Sequence, residues 1–180
     1  MHIKNSFIFT FISNFKKEEI LNLDKKVAII FRNYKKEYDI NEIKKLRRIC
    51  KTQNRKLYLA NNLKLAKNLN LDGAYIPSFN KNLCLQRYNF KKKFQLLGSA
   101  HNISEIKIKE KQGVELIFLS PIFKTKNYKR GLNIVKFNIL SHLSLKKIIA
   151  LGGINKKNIK KLKMTNAFGF SGISYFFENL

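Results

Sequence analysis

The chain has 180 residues, 44% of them apolar, which suits one domain with a substantial core and excludes a disordered chain. Its 37 Lys and Arg outnumber 11 Asp and Glu, for a formal charge of +26, yet the cations are spread over many segments and form no single stripe. No apolar run approaches the roughly 18 residues of a helical membrane span.

The opening segment, MHIKNSFIFTFISNFKK, has an apolar centre at 7–12. That centre is short for a signal core and has no small-residue cleavage pattern after it, so it reads as a first strand. A short helix is predicted next, at 16–23. Residues 27–31 are a continuous apolar run, as expected of a strand buried on both faces. Apolar residues then recur at Ile40, Ile43, Leu46, Ile49 and Cys50, with Lys and Arg opposite, which predicts a helix over 40–52. Strands are predicted at 56–60 and at 73–76, the latter stopped by Pro77, with a helix at 63–69 between them. Residues 80–90 are an irregular or helical connection.

The fifth strand is predicted at 94–97, ending at Gly98. A helix capped by Ser104 runs to Gln112 and stops at Gly113. Strands six, seven and eight are predicted at 116–119, 147–151 and 167–172. Helices lie between them at 133–143 and, capped by Asn155, at 156–163. Eight βα units with no linker predict a single (β/α)8 TIM barrel over residues 1–180. The chain is short for that fold, and only about one turn remains for the eighth helix. The thin outer ring predicts exposed apolar area on that flank and a surface suited to a homodimer.

In such a barrel the C-terminal strand ends meet on one face. The sequence ELIFLSPIFKTKNYKRG, residues 115–131, delivers Thr125 and a cluster of cations there, among them Lys126 and Lys129. Gly152 and Gly153 end strand seven before a capped segment, and Gly172, Ile173 and Ser174 end strand eight. Together these fit a phosphate site, although a Gly-Gly pair also serves as a plain turn. Ser99 and His101 come after strand five. His101 reads as a proton-exchanging group or as a capping residue. Arg32 ends strand two, as a phosphate ligand or a surface cation. Asn61 and Asn62 come after strand three and Asn80 after strand four. His2 and His142 fall outside any motif. Cys50 and Cys84 are isolated, without metal spacing, and read as thiols of a reducing cytoplasm.

The motifs Leu97-Gly98-Ser99-Ala100-His101, Ser120-Pro121-Ile122-Phe123-Lys124-Thr125, Ala150-Leu151-Gly152-Gly153-Ile154 and Gly172-Ile173-Ser174 stand in an order and spacing that resembles the thiamine-phosphate synthase and thiazole tautomerase superfamily. The similarity covers roughly residues 56–174, and more faintly 27–35. It implies a transferase of thiamine biosynthesis. Such an enzyme joins hydroxymethylpyrimidine diphosphate to thiazole phosphate and releases diphosphate, so its partners are small phosphorylated heterocycles. By that likeness Ser99, Thr125 and Arg32 contact the pyrimidine diphosphate, with Lys129 or its rival Lys126. Gly152, Gly153, Ile173 and Ser174 hold the thiazole phosphate, and Asn61, Asn62 and His101 line the substrate site.

The resemblance also implies Mg2+, held by carboxylates whose positions are taken here by Asn61 or Asn62 and by Asn80. The family's strand-two Gln falls at Ile30 and its Lys at Tyr34 or Lys35. The tautomerase branch places a His where this chain has Pro121. Two alternatives stand beside the synthase. One is a degenerate relative that binds thiazole phosphate or another small phosphate. The other is a polyanion or nucleic-acid binder using the +26 charge.

Overall fold

Eight short apolar runs pair in parallel, each with the next in the chain. They are β1 (Phe7–Ile12), β2 (Val27–Phe31), β3 (Leu57–Ala60), β4 (Gly73–Ile76), β5 (Gln95–Ala100), β6 (Leu116–Leu119), β7 (Lys147–Leu151) and β8 (Gly169–Ser171). β8 pairs back onto β1, with Phe7 opposite Gly169, and closes the (β/α)8 barrel. This computed structural model describes residues 7–34, 37–87, 89–126 and 128–177. His2 and Lys35 lie outside the described residues.

The outer ring holds α1 (Lys17–Leu21), α2 (Ile40–Thr52), α3 (Leu63–Asn68), α4 (Ile103–Lys111), α5 (Asn133–His142) and α6 (Ile173–Phe176). α2 shows why these segments fold as they do. The Asp39 carboxylate accepts from the Asn41 N–H at 2.8 Å and starts the helix. Ile43, Leu46 and Cys50 then fall on one face and are buried.

Two layers of core result. Between sheet and helices lie residues such as Ile29, Leu59, Ile117, Leu46 and Phe137. Inside the barrel, Phe9, Phe11, Tyr58, Tyr75 and Phe118 interlock edge to face or tilted, with Phe9–Phe118 centroids 4.9 Å apart and Phe11–Tyr75 5.1 Å. Ala28 and Ala60 make room for these rings. The barrel is therefore filled, and the top of the aromatic pile is the floor of the mouth.

Several boundaries differ from the sequence expectation. β5 runs through Gly98 and Ser99 to Ala100 instead of stopping at Leu97. Gly98 is there for space: a Cβ would sit 2.9 Å from Cδ of Lys109, whose stem packs against it. α4 is capped by Asn102, not Ser104, because the Asn102 side chain accepts from the Glu105 N–H at 2.9 Å. The connection 80–90 contains a 3-10 turn, Cys84–Arg87.

The helix expected at 156–163 is a 3-10 segment, Ile159–Met164. Asn155 does close a turn onto Lys157 and Asn158, but the Asn158 amide is directed to the Gly153 carbonyl at 2.7 Å. β8 spans only Gly169–Ser171. The short final helix does not leave its own flank bare, since Tyr175 and Phe176 fold against Phe170. Exposed large apolar residues include Val135, Ile139, Leu145 and Met164 on α5 and nearby, and Phe79 and Leu83 after β4. No helix among the described residues is long and apolar enough to cross a membrane.

Candidate active site

Strand ends of alternating inward residues put the candidate groups on one face of the barrel. Arg32 directly succeeds β2, and its backbone N–H donates to the Ile12 carbonyl at 2.8 Å, which fixes where the side chain starts. The guanidinium carbon lies 4.6 Å from the Phe11 ring centroid, so the arginine rests on the top of the aromatic pile. Among the described residues Arg32 makes no salt bridge, which leaves its donor fork for a ligand. It lines a cavity of about 270 Å³ with Phe11, Ser13, Asn14 and Ile173.

Ser99 is buried near the top of β5, where its hydroxyl is close enough to act on the Tyr75 phenol. Burial pushes the Tyr75 phenol up to about 12, while Ser99 and the charge of Arg32 act the other way. Tyr75 therefore stays a neutral donor at the centre of the mouth. Sequence reading missed it. The signal was the alternation in GAYI, where Ala74 and Ile76 face the helices and Tyr75 must face the barrel axis. Tyr75→Phe keeps the packing and deletes one hydroxyl. We expect stability within about 1 kcal/mol of the parent and kcat/KM lower by about tenfold, measured in the same preparation.

His101 continues from β5. Its Nδ1 pairs with a Glu105 oxygen at 2.9 Å, and its backbone N–H donates to the same oxygen at 2.8 Å. With Nδ1 turned to Glu105, Nε2 is the ring nitrogen left for a further partner. His101 stacks on Tyr128, 6.2 Å between centroids, beside a second cavity of about 650 Å³ that Ser120, Arg130 and Lys136 also line. His101 is thus tied to the start of α4 and borders this cavity.

Thr125 closes the loop after β6. Its hydroxyl accepts from the Tyr128 N–H at 3.1 Å, and its own N–H donates to the Tyr128 carbonyl at 3.0 Å. The hydroxyl proton remains for another acceptor. Lys124, Lys126, Lys129 and Arg130 are all exposed around it.

This loop is packed against the Gly152-Gly153 turn. Ile122 N–H donates to Leu151 and Phe123 N–H to Gly152, at 2.9 and 3.2 Å. Both glycines have positive φ, and a Cβ on Gly153 would lie 2.3 Å from the Lys124 carbonyl. A Cβ on Gly172 would come within 3.3 Å of the Ile154 carbonyl, so the ends of β7 and β8 are also neighbours. Ser174 is exposed in the first turn of α6. Ser171, one layer below, is buried with no partner for its hydroxyl. No motif pointed to it.

The asparagines are arranged otherwise than substrate ligands in a row. Asn62 caps α3 by accepting from the Leu65 N–H at 3.0 Å. Asn80 donates its amide to the Asn61 carbonyl oxygen at 2.7 Å. Among the described residues no group of three or more His, Cys, Asp or Glu is placed to hold a metal ion. The donor set does not fit Mg2+, which favours anionic oxygen, because it offers neutral amides already joined by a hydrogen bond.

A sequence profile of the family described as thiamine monophosphate synthase matches residues 17–176. A protein of Aquifex aeolicus with the provisional name thiamine-phosphate synthase 2 is 32% identical over 140 residues, 75% of this chain and 73% of that one. The thiamine-phosphate synthase of Pelagibacter ubique is 27% identical over 162 residues, 86% of this chain and 77% of its own. Among solved structures, a thiamine phosphate pyrophosphorylase from Pyrococcus furiosus superposes with a TM-score of 0.69 at 15% identity, covering 96% of this chain and 88% of that one. An HpcH/HpaI aldolase from Desulfitobacterium hafniense reaches 0.65 at 11% identity over 95% of this chain and 88% of its own, a likeness of fold alone.

Proposed function

The chain belongs to the thiamine monophosphate synthase family and is a transferase of that type, and from this premise we propose how its barrel mouth does the work. The substrates are hydroxymethylpyrimidine diphosphate and thiazole phosphate. The bond from the pyrimidine methylene to diphosphate breaks, with its electron pair leaving on the diphosphate. The thiazole nitrogen lone pair then forms the new carbon–nitrogen bond. The protein's part is to bind the departing charge and align the nucleophile.

The observation that carries this reading is the pairing of two anion-suited regions on one barrel face. Arg32, resting on Phe11, lies with the buried Tyr75–Ser99 pair, and the turn at Gly152 and Gly153 lies packed against the Thr125 loop. In our reading Arg32, Ser99 and Thr125, with Lys129 or Lys126, hold the diphosphate. Gly152, Gly153, Ile173 and Ser174 hold the thiazole phosphate. Asn61 and His101 border the pyrimidine, whereas Asn62 serves mainly as the α3 cap. No step is assigned to a metal. We place the reaction in the cytoplasm, where two unpaired thiols, Cys50 and Cys84, are stable as such.

Purified protein given both phosphorylated substrates is expected to release diphosphate and thiamine phosphate in equal amounts. Tight thiazole phosphate binding without product, at every metal condition, would replace this reading by that of a non-catalytic phosphate binder.

A further inference from the structure

Lys109 is fully buried on α4, yet it is a lysine. Its ammonium donates to the carbonyls of Pro77 and Asn80 and to Gln112 Oε1, at 2.8, 2.7 and 2.8 Å. The Gln112 amide in turn donates to the carbonyls of Asn80 and Asn82, both at 2.9 Å. The side chains of Lys109 and Gln112 thus grip the loop after β4 by four backbone carbonyl contacts. That loop carries Asn80, whose amide bonds Asn61 at the end of β3. Gly98 completes the arrangement by leaving room for the lysine stem.

We propose that Lys109 is a positioning residue for the pyrimidine-diphosphate half of the site: with Gln112 it locks the loop after β4 so that Asn80 clasps Asn61, joining through protein contacts two strand ends that carboxylates and a metal would otherwise join. This rests on the synthase reading above for the identity of the ligand. Burying an ammonium costs stability, and packed apolar residues usually serve a helix–loop contact better. A charge kept there serves geometry. Burial lowers the Lys109 pKa to about 8, with Glu105 on the same helix opposing; the other groups facing the ammonium, from the loop and from Gln112, are neutral.

The pH effect has a definite sign. The folded state releases this proton at about 8 and the unfolded chain near the ordinary 10.5, so between those values the folded state binds fewer protons. The unfavourable contribution is fully present below pH 8 and is relieved as pH rises to 10.5. Relative to Lys109→Met, the parent should therefore gain stability across that window, read by urea unfolding.

The deciding measurement is amide hydrogen exchange at 78–82 near neutral pH, with millimolar Mg2+ and with chelator. In the parent, exchange there is expected to be the same in both. Lys109→Met, and separately Gln112→Leu, should raise it by about tenfold while β6 and β7 keep their protection. Asn80→Ala should weaken binding of inorganic diphosphate by about tenfold with the fold intact. Slower exchange in the parent on adding Mg2+, or no change in either of the Lys109 and Gln112 variants, or unchanged diphosphate binding in Asn80→Ala, overturns the proposal. Failure to form thiamine phosphate bears on the activity and leaves this exchange pattern to be judged separately.

Discussion

Arg32→Met is expected to lower kcat/KM by about 100-fold or more, the largest loss from any single side chain at the mouth. Charge builds on the leaving diphosphate in the transition state, and Arg32 is a cation held against the aromatic floor of the mouth. It rests 4.6 Å from the Phe11 ring, above a packed aromatic floor. The lysines of the Thr125 loop are exposed, so solvent and salt screen them. Arg32 is half-buried and free of salt bridges among the described residues, so losing it strands no charged partner. The variant should accordingly unfold like the parent. Arg32→Lys should recover part of the rate, because it restores charge without the planar fork. Steady-state kinetics on both variants settles the matter; a rate for Arg32→Met within about threefold of the parent would remove Arg32 from the machinery.

Gly153→Ala should lose both stability and phosphate affinity. The residue has φ +70, where a Cβ costs roughly 1–2 kcal/mol by itself. The added atom would also sit 2.3 Å from the Lys124 carbonyl and 2.9 Å from the Phe123 backbone, neither of which is a flexible side-chain end. Something in the backbone must move, and the two loops that move are the Gly-Gly turn and the Thr125 loop. We expect a total cost of about 2–4 kcal/mol in urea unfolding. Binding of inorganic phosphate should fall by about tenfold or more in calorimetry. Gly98→Ala is a useful contrast, because its Cβ would press mainly on the Lys109 stem, far from the Gly-Gly turn in the chain. Phosphate binding that survives Gly153→Ala unchanged would place the phosphate elsewhere.

Much of the barrel was legible in the sequence. Continuous apolar runs such as Val27–Phe31 have only one use in a βα repeat, as strands covered on both faces, and the structure closes eight strands in order. Boundaries were less legible where glycine had two meanings. Gly98 looked like a strand end and is a packing space inside β5. Gly152 and Gly153 looked like a turn with a helix after it. The turn is there, but the Asn158 side chain is drawn back to Gly153, and the segment beyond it is a 3-10 helix.

Local pattern also placed Arg32, Ser99 and Ser174 at strand ends and Thr125 in the loop after strand six, because side-chain type and position in a βα unit are local properties. The sequence by itself therefore determined the closed barrel and the face on which polar residues gather, the amides of Asn61, Asn62 and Asn80 among them. Only the tertiary structure decided what those amides do. Whether Asn80 meets a metal, a ligand or Asn61 depends on the distance between two strand ends, which is set by barrel closure and not by spacing along the chain. The same holds for Tyr75 beside Ser99, and for Lys109, a basic residue that composition would place in solvent. Its ammonium is buried because carbonyls from a distant loop converge on it, and such convergence exists only after the chain has folded.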